Sequence, residues 1–527
     1  MRRVARALGI ACVAVAVALG VDVRTTRADL LTNLARAHDA ITTMDFDVAH
    51  RELDGADSNE PAVEHAQARL ALHEMRCDEA AAALSHPAQA RFEGGAQLAD
   101  VARGCARVTA ATVLERDEAR GIEIDFQDED DRALAPILEE TIDRARASLE
   151  RDLGVTWPRP TRALVVRDLL SLAAVTGLPY ESAKTTGTVA VAKFGRITLL
   201  SPRASRHGYA WRDTIAHELT HLAVTRLTVD RAPLWLQEGI AKREEIRWRD
   251  PGPFDDRPSP EAVAIHGIEQ HLDTPLDHLG PSIAMLPSAE RAGVAFAEVT
   301  SFVRFYADSV GPTALPFLLS AIRSSDNAGN AMKELTGLDL AAWDAKWRAF
   351  LATRPPEPLP SAWAAGHGSG MRDLRDRARL SELLLGRNHG VDAVAELVPI
   401  AAEAWDDASL RHLRARAFEA AGNTAVVEAS LGEPKDVTSS YGPWWATRGR
   451  FARARGDGAT ADGFFQEAVA ADPLDVECAC ESLDSASSTA SAGAPGVTTL
   501  AAPYASPAPG ALCDAARKRG EPSLGGD

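Results

Sequence analysis

The sequence predicts an α+β protein, mostly helical, in which a small sheet with its own helices lies between two α-helical repeat regions. Small and apolar residues recur at helical spacing over residues 29–107 and again over 372–480, which argues for paired helices at both flanks. Between them the period changes. Residues 121–126 alternate, residues 162–167 form a β-branched run, and residues 189–200 read as a hairpin. A Pro- and Gly-rich stretch then separates this middle part from the second helical block.

Taken in order, residues 1–28 form a targeting segment. Met1, Arg2, Arg3 and Arg6 supply a positive start, residues 7–21 an apolar core, and Thr26-Arg27-Ala28 a cleavage site before Asp29. This predicts an exported protein, periplasmic, in the cell envelope or secreted. An uncleaved anchor is the alternative, against which the apolar run falls short of the ~20 residues a spanning helix prefers. Cys12 sits too early in that run for a lipidation site.

Residues 29–110 form the first helical region, with Leu34, Ala37 and Ile41, then Phe46, Ala49 and Leu53, on helical faces and turn signals at 57–61. Residues 111–250 form a sheet-bearing lobe that includes a helix over 134–153, and residues 251–356 a helical lobe with helices over 294–310, 314–323 and 340–351. Trp343 and Trp347 share one face of the last helix and read as its apolar seal. Residues 357–371 are a linker. The tail, 481–527, is rich in Ser, Ala, Pro and Gly and is expected to be mobile.

Composition excludes some partners. The chain has 527 residues, 46% apolar and 25% charged, enough for several packed domains. Its net charge of -18 argues against nucleic acid, which needs clustered Lys and Arg. No later segment is long and apolar enough to span a membrane, so no stable span is expected once the signal is removed. Cys77 and Cys105 lie in one helical region and can pair outside the cytosol, whereas the pairing of Cys478, Cys480 and Cys513 stays open. The Cys478-Ala479-Cys480 spacing is too tight for a zinc hairpin, so no second metal is assigned.

The chemistry lies in His217-Glu218-Leu219-Thr220-His221 and, after a gap, Trp235-Leu236-Gln237-Glu238-Gly239. Residues four apart on a helix share a face, so His217 and His221 can offer two imidazole nitrogens to one Zn2+. The gap leaves room for the helix to end, a loop over 228–233, and a second helix that returns Glu238 as third ligand. A fourth position open to water marks a catalytic site, with Glu218 as general base. Helical pairing at Trp445, Gly449, Phe451, Ala452, Gly456, Ala461, Phe464, Ala468 and Asp472-Pro473 resembles a tetratricopeptide repeat, with an irregular helical bundle as the alternative.

At these motifs, and over residues 113–355, the sequence resembles the gluzincin metallopeptidases, in particular peptidase MA-like domains in which HELxH precedes WLxEG. The resemblance implies a thermolysin-like zinc peptidase domain, His217, His221 and Glu238 as zinc ligands, Glu218 as catalytic base, and a peptide or protein substrate. Residues 187–202 look like the hairpin that precedes the zinc helix in such domains, where one strand can pair with an extended peptide. A plain structural hairpin fits the same residues.

Two positions depart from that pattern. Phe296 stands where relatives often carry a tyrosine hydroxyl for the oxyanion; Tyr306, His266 or His271 could substitute, or be packed side chains. Lys242 stands where many gluzincins carry an acidic partner for a ligand histidine, a part that Glu244 or Glu245 could take. Three functions follow: an exported zinc metallopeptidase whose helical repeats engage a protein partner, an envelope scaffold whose peptidase-like domain is catalytically weak or inactive, or a zinc hydrolase acting on a non-peptide amide.

Overall fold

The computed structural model describes residues 27–57, 59–205, 208–325, 327–360, 369–400, 402–486 and 510–518. Residues 1–26 of the signal segment therefore lie outside the described residues, as do Cys12 and the middle of the linker, while Arg27 and Ala28 of the expected cleavage site begin a helix.

Five α-helices open the described residues: α1 (Arg27–Thr42), α2 (Phe46–Leu53), α3 (Pro61–His73), α4 (Cys77–Leu84) and α5 (Gly95–Thr109). A disulfide joins Cys77 and Cys105, so the last two helices are cross-linked over a core of Ala80, Leu84, Ala99 and Ala102.

The sheet follows. It contains β1 (Val113–Asp117), β2 (Ile122–Phe126), then after helix α6 (Ala135–Leu153) β3 (Thr161–Val166), and after helices α7 (Leu169–Thr176) and α8 (Tyr180–Thr186) the hairpin β4 (Ala190–Lys193) and β5 (Arg196–Leu200). Strand order is β1-β2-β3-β5-β4, with β2, β3 and β5 parallel and the two outer pairs antiparallel. Both β3 and β5 are buried almost throughout, which explains their unbroken apolar runs. The sequence reading missed β1. Its Glu115, Arg116 and Asp117 weaken the strand signal, yet charges suit an edge strand, which must resist pairing with other chains.

Helix α6 packs Ile137, Leu138, Ile142, Ala145, Leu149 and Leu153 into the core and stops at Gly154, whose φ of 72° satisfies the left-handed cap. Across it lies α9 (Trp211–Thr228), followed after a short loop by α10 (Leu234–Glu244). The helical lobe adds α11 (Pro260–Glu269), α12 (Ala289–Val310), α13 (Ala314–Ser324), α14 (Ala328–Thr336) and α15 (Leu340–Leu351). The two tryptophans of α15 are buried, with Trp347 Nε1 donating to Ser301 Oγ at 3.0 Å and Trp343 Nε1 to Thr336 Oγ1 at 3.0 Å. They seal a face, as their spacing implies.

The second helical block holds α16 (Ser369–Leu385), α17 (Gly390–Leu397), α18 (Ala408–Ala420), α19 (Val427–Leu431), α20 (Gly442–Ala454), α21 (Gly458–Ala471) and α22 (Val476–Ala486). Helices α20 and α21 cross where Gly449 meets the Phe465 ring; a Cβ there would come within 2.6 Å of it. This close approach is why a small residue stands at the crossing.

The expectation of a mobile tail over 481–527 needs correction where the tail is described. Residues 481–486 complete α22, and a last helix, α23 (Ala511–Lys518), buries Leu512, Cys513, Ala515 and Ala516 in the same core as the sheet and α9. A Cys480–Cys513 disulfide ties it to α22. Composition misled because a helix this short derives its stability from packing and cross-linking rather than from its own propensity. No helix among the described residues is long and apolar enough to cross a membrane.

Candidate metal centre

His217 and His221 project from one face of α9, and α10 returns antiparallel enough to set Glu238 against both. His217 Nε2 and His221 Nε2 lie 3.2 Å apart, and Glu238 Oε2 lies 3.5 Å from each. Two nitrogens bound to a tetrahedral zinc at about 2.0–2.1 Å stand roughly 3.3 Å from one another. The three atoms thus already hold the edge lengths of such a ligand set. Glu238 Oε2 is also buried without a hydrogen bond, an arrangement that costs free energy unless a cation meets it.

Charge points the same way. Glu218, Glu238 and Glu245 surround the imidazole pair, and burial alone would lower the basicity of His217. The negative charge of the neighbouring carboxylates and the hydrogen bond to Glu245 overcome this and lift His217 to about 10. Burial likewise opposes ionisation of Glu238, yet the two imidazoles hold its carboxyl far below the usual carboxylate range. The cluster demands positive charge at its centre, and a divalent cation answers that demand without protons.

The outer partners are in place. Glu245 Oε2 meets His217 Nδ1 at 3.1 Å, and Lys242 Nζ donates to Glu245 Oε1 at 2.7 Å and to Oε2 at 2.9 Å. Burial pushes Glu245 up, but Lys242 and His217 outweigh it and hold the carboxyl at about 2. Of the two acidic candidates it is therefore Glu245 that orients the histidine. Glu244 turns instead to Arg243 and Arg247. Gln237, which the sequence reading did not single out, places Oε1 at 3.4 Å from His221 Nδ1. Its position one residue before Glu238, in the same WLQEG segment, was the available signal.

Such partners fix tautomer and ring orientation, and losing one typically costs 10- to 100-fold in metal affinity. Glu245→Gln is expected to weaken zinc binding within that range while leaving the fold intact; competition against a chromogenic chelator measures it. Unchanged affinity would show that Glu245 does not orient His217.

Glu218, next along α9, is 6% exposed. Burial raises its carboxyl above the ordinary value, moderated by the histidines and by the Ala192 backbone N–H of β4 directed at it. A carboxylate on the same helix as the candidate ligands and next in sequence to His217 is placed to take and return a proton. The hairpin that carries Ala192 is braced from below. Gly195 at its turn fits among Met44, Phe46 and His73, and buried Arg196 donates to the Leu72 carbonyl at 2.8 Å. The N-terminal helices thereby brace the hairpin that carries β4, the edge strand packed beside α9.

The expected oxyanion donors divide. Tyr306 packs edge-on against Trp343 inside the helical core, and His271 is exposed beyond the end of α11, so both are placed by the fold and not by the cluster. His266 belongs to α11, which packs on α12. Phe296, on α12, sits beneath Lys242, whose Nζ lies 5.8 Å from the ring centroid.

The comparisons agree with this geometry. No curated protein and no solved structure matches the chain. Residues 143–353, which hold α9, Glu238 and the helical lobe, match the sequence model of the Peptidase MA superfamily, and the same residues bring together a His-His-Glu site consistent with zinc.

Proposed function

We propose that the protein is an exported zinc-dependent metallopeptidase in which His217, His221 and Glu238 hold the metal and Glu218 is the general base. The observation that carries this reading is the convergence of three donor atoms from two helices at separations of 3.2 and 3.5 Å. Bound zinc supplies a Lewis acid and lowers the pKa of water to about 7. Glu218 then accepts the proton of the attacking water and returns it to the leaving amine. The Ala192 N–H steadies the carboxylate between these two transfers. An extended peptide can add to the outer edge of β4, which aligns its backbone along the zinc helix.

Export is supported by the two disulfides, which persist outside the reducing cytosol. The helical pairs over residues 29–110 and 372–480 we read as tetratricopeptide-like units able to hold a protein partner. Phe296 favours a second reading, an envelope scaffold whose peptidase-like domain binds zinc and turns over poorly, because a phenyl ring donates no hydrogen bond.

Chelation separates the two. Dialysis against a strong chelator is expected to abolish cleavage of a mixed peptide library, and one equivalent of zinc to restore it, followed by mass spectrometry of the products. A zinc-replete protein that cleaves nothing supports the scaffold.

A further inference from the structure

The first helix pair of the second helical block, α16 and α17, packs against α18, where Leu374, Ala378, Leu384, Leu397 and Leu413 share a small core. The pair is locked internally. Ser381 Oγ donates to the Ala393 carbonyl at 3.1 Å, and Arg377 reaches Asp373 at 3.0 Å on its own helix and Glu396 of α17 at 3.2 Å. The face turned away from this core is open and apolar. Leu380 and Leu383 of α16 are 43% and 49% exposed, and Val391 and Val398, at the start and just past the end of α17, 71% and 74%. Val391, Ala395 and Val398 follow one stripe of α17, opposite the buried Ala393 and Leu397. The end pair of a helical stack ordinarily turns a polar face to water, because an apolar one associates.

The order of residues along α16 says what covers this face. Asp376, Leu380, Leu383 and Arg387 stand four, three and four residues apart, so they follow one stripe of the helix and of the turn that ends it. All four are exposed. The stripe is acidic at one end, basic at the other and apolar between, which makes it its own complement. Laid antiparallel with Leu380 of one copy against Leu383 of the other, two such stripes bring each Asp376 opposite an Arg387, because both residue pairs share one midpoint. Laid parallel, they would oppose Asp376 to Asp376 and Arg387 to Arg387. The antiparallel arrangement closes on a two-fold axis, so every contact is made twice.

We propose that a second copy of this chain covers the face, with the two α16 helices paired antiparallel and the two α17 helices beside them in a four-helix arrangement. The inference is independent of the metal centre. Burial of the leucines and valines drives the association, and the two Asp376–Arg387 contacts fix its register.

Sedimentation velocity of the full chain over a dilution series is expected to show monomer and dimer in exchange. Leu380→Asp and Leu383→Asp should each leave monomer alone, with circular dichroism confirming that the variants are folded. Charge reversal tests the register. Asp376→Arg and Arg387→Asp should each weaken the dimer by about 10-fold or more, because like charges then meet at two places. An equimolar mixture of these two variants should associate as tightly as wild type, since both contacts of the mixed dimer again join opposite charges. Mixing cannot repair a folding defect. A chain that stays monomeric at every concentration overturns the proposal and leaves the face to a partner of another kind. A dimer indifferent to these substitutions, or charge variants that mixing does not rescue, overturns it equally.

Discussion

Glu218→Gln is expected to retain stoichiometric zinc and to lose peptide hydrolysis by about 10²- to 10⁴-fold, the usual contribution of a positioned proton acceptor. The substitution keeps volume and one carbonyl oxygen, so the Ala192 N–H still finds an acceptor and α9 keeps its packing. What disappears is basicity. Glu218 stands outside the group of three atoms that converge within 4.8 Å, so metal content should not follow activity. Metal analysis and a rate measurement on the same preparation decide the matter. Retained cleavage removes Glu218 from its role, whereas joint loss of zinc and activity makes it structural to the site.

How far this site could be read beforehand depended on whether its geometry was local. The pair His217 and His221 obeys helical periodicity, which the sequence displays directly. Glu238 required only that a loop return the chain, and the left-handed Val229 at the end of α9 with Pro233 before α10 does so. The choice between Glu244 and Glu245 was different. Neighbouring residues at a helix end point about 100° apart, and only the placement of α10 against α9 says which one faces His217. The same limit explains α23. Its Cys480–Cys513 link closes a long stretch of chain, and no spacing rule distinguishes that pairing from the alternatives with Cys478.

The flanking helices were legible as helices but not as parts of the site. Periodicity marks a buried face without naming what covers it. Here the N-terminal helices cover the turn of the β4–β5 hairpin, and the C-terminal helices reach the start of the zinc helix through Trp211. Both flanks thereby act on the two elements that frame the metal cluster. Their removal would alter the frame as well as any partner surface they carry.

Glu238→Ala is expected to weaken zinc binding by more than about 100-fold, exceeding the 10- to 100-fold associated with an outer partner such as Glu245. The reason lies in what remains. His217 and His221 alone give two neutral donors on one helix face, which leaves a dication with half a tetrahedral shell and no compensating charge. The imidazoles also lose the carboxylate that holds them 3.5 Å away, so His221, with only Gln237 at 3.4 Å behind it, gains freedom to rotate. Glu238→Asp supplies the control: it keeps the charge and withdraws it by one methylene, and should fall between wild type and alanine. Competitive chelator titrations of the three proteins order them. An alanine variant that holds zinc as tightly as wild type would mean that the third ligand lies elsewhere, and the orphaned Oε2 of Glu238 would then need another cation to face.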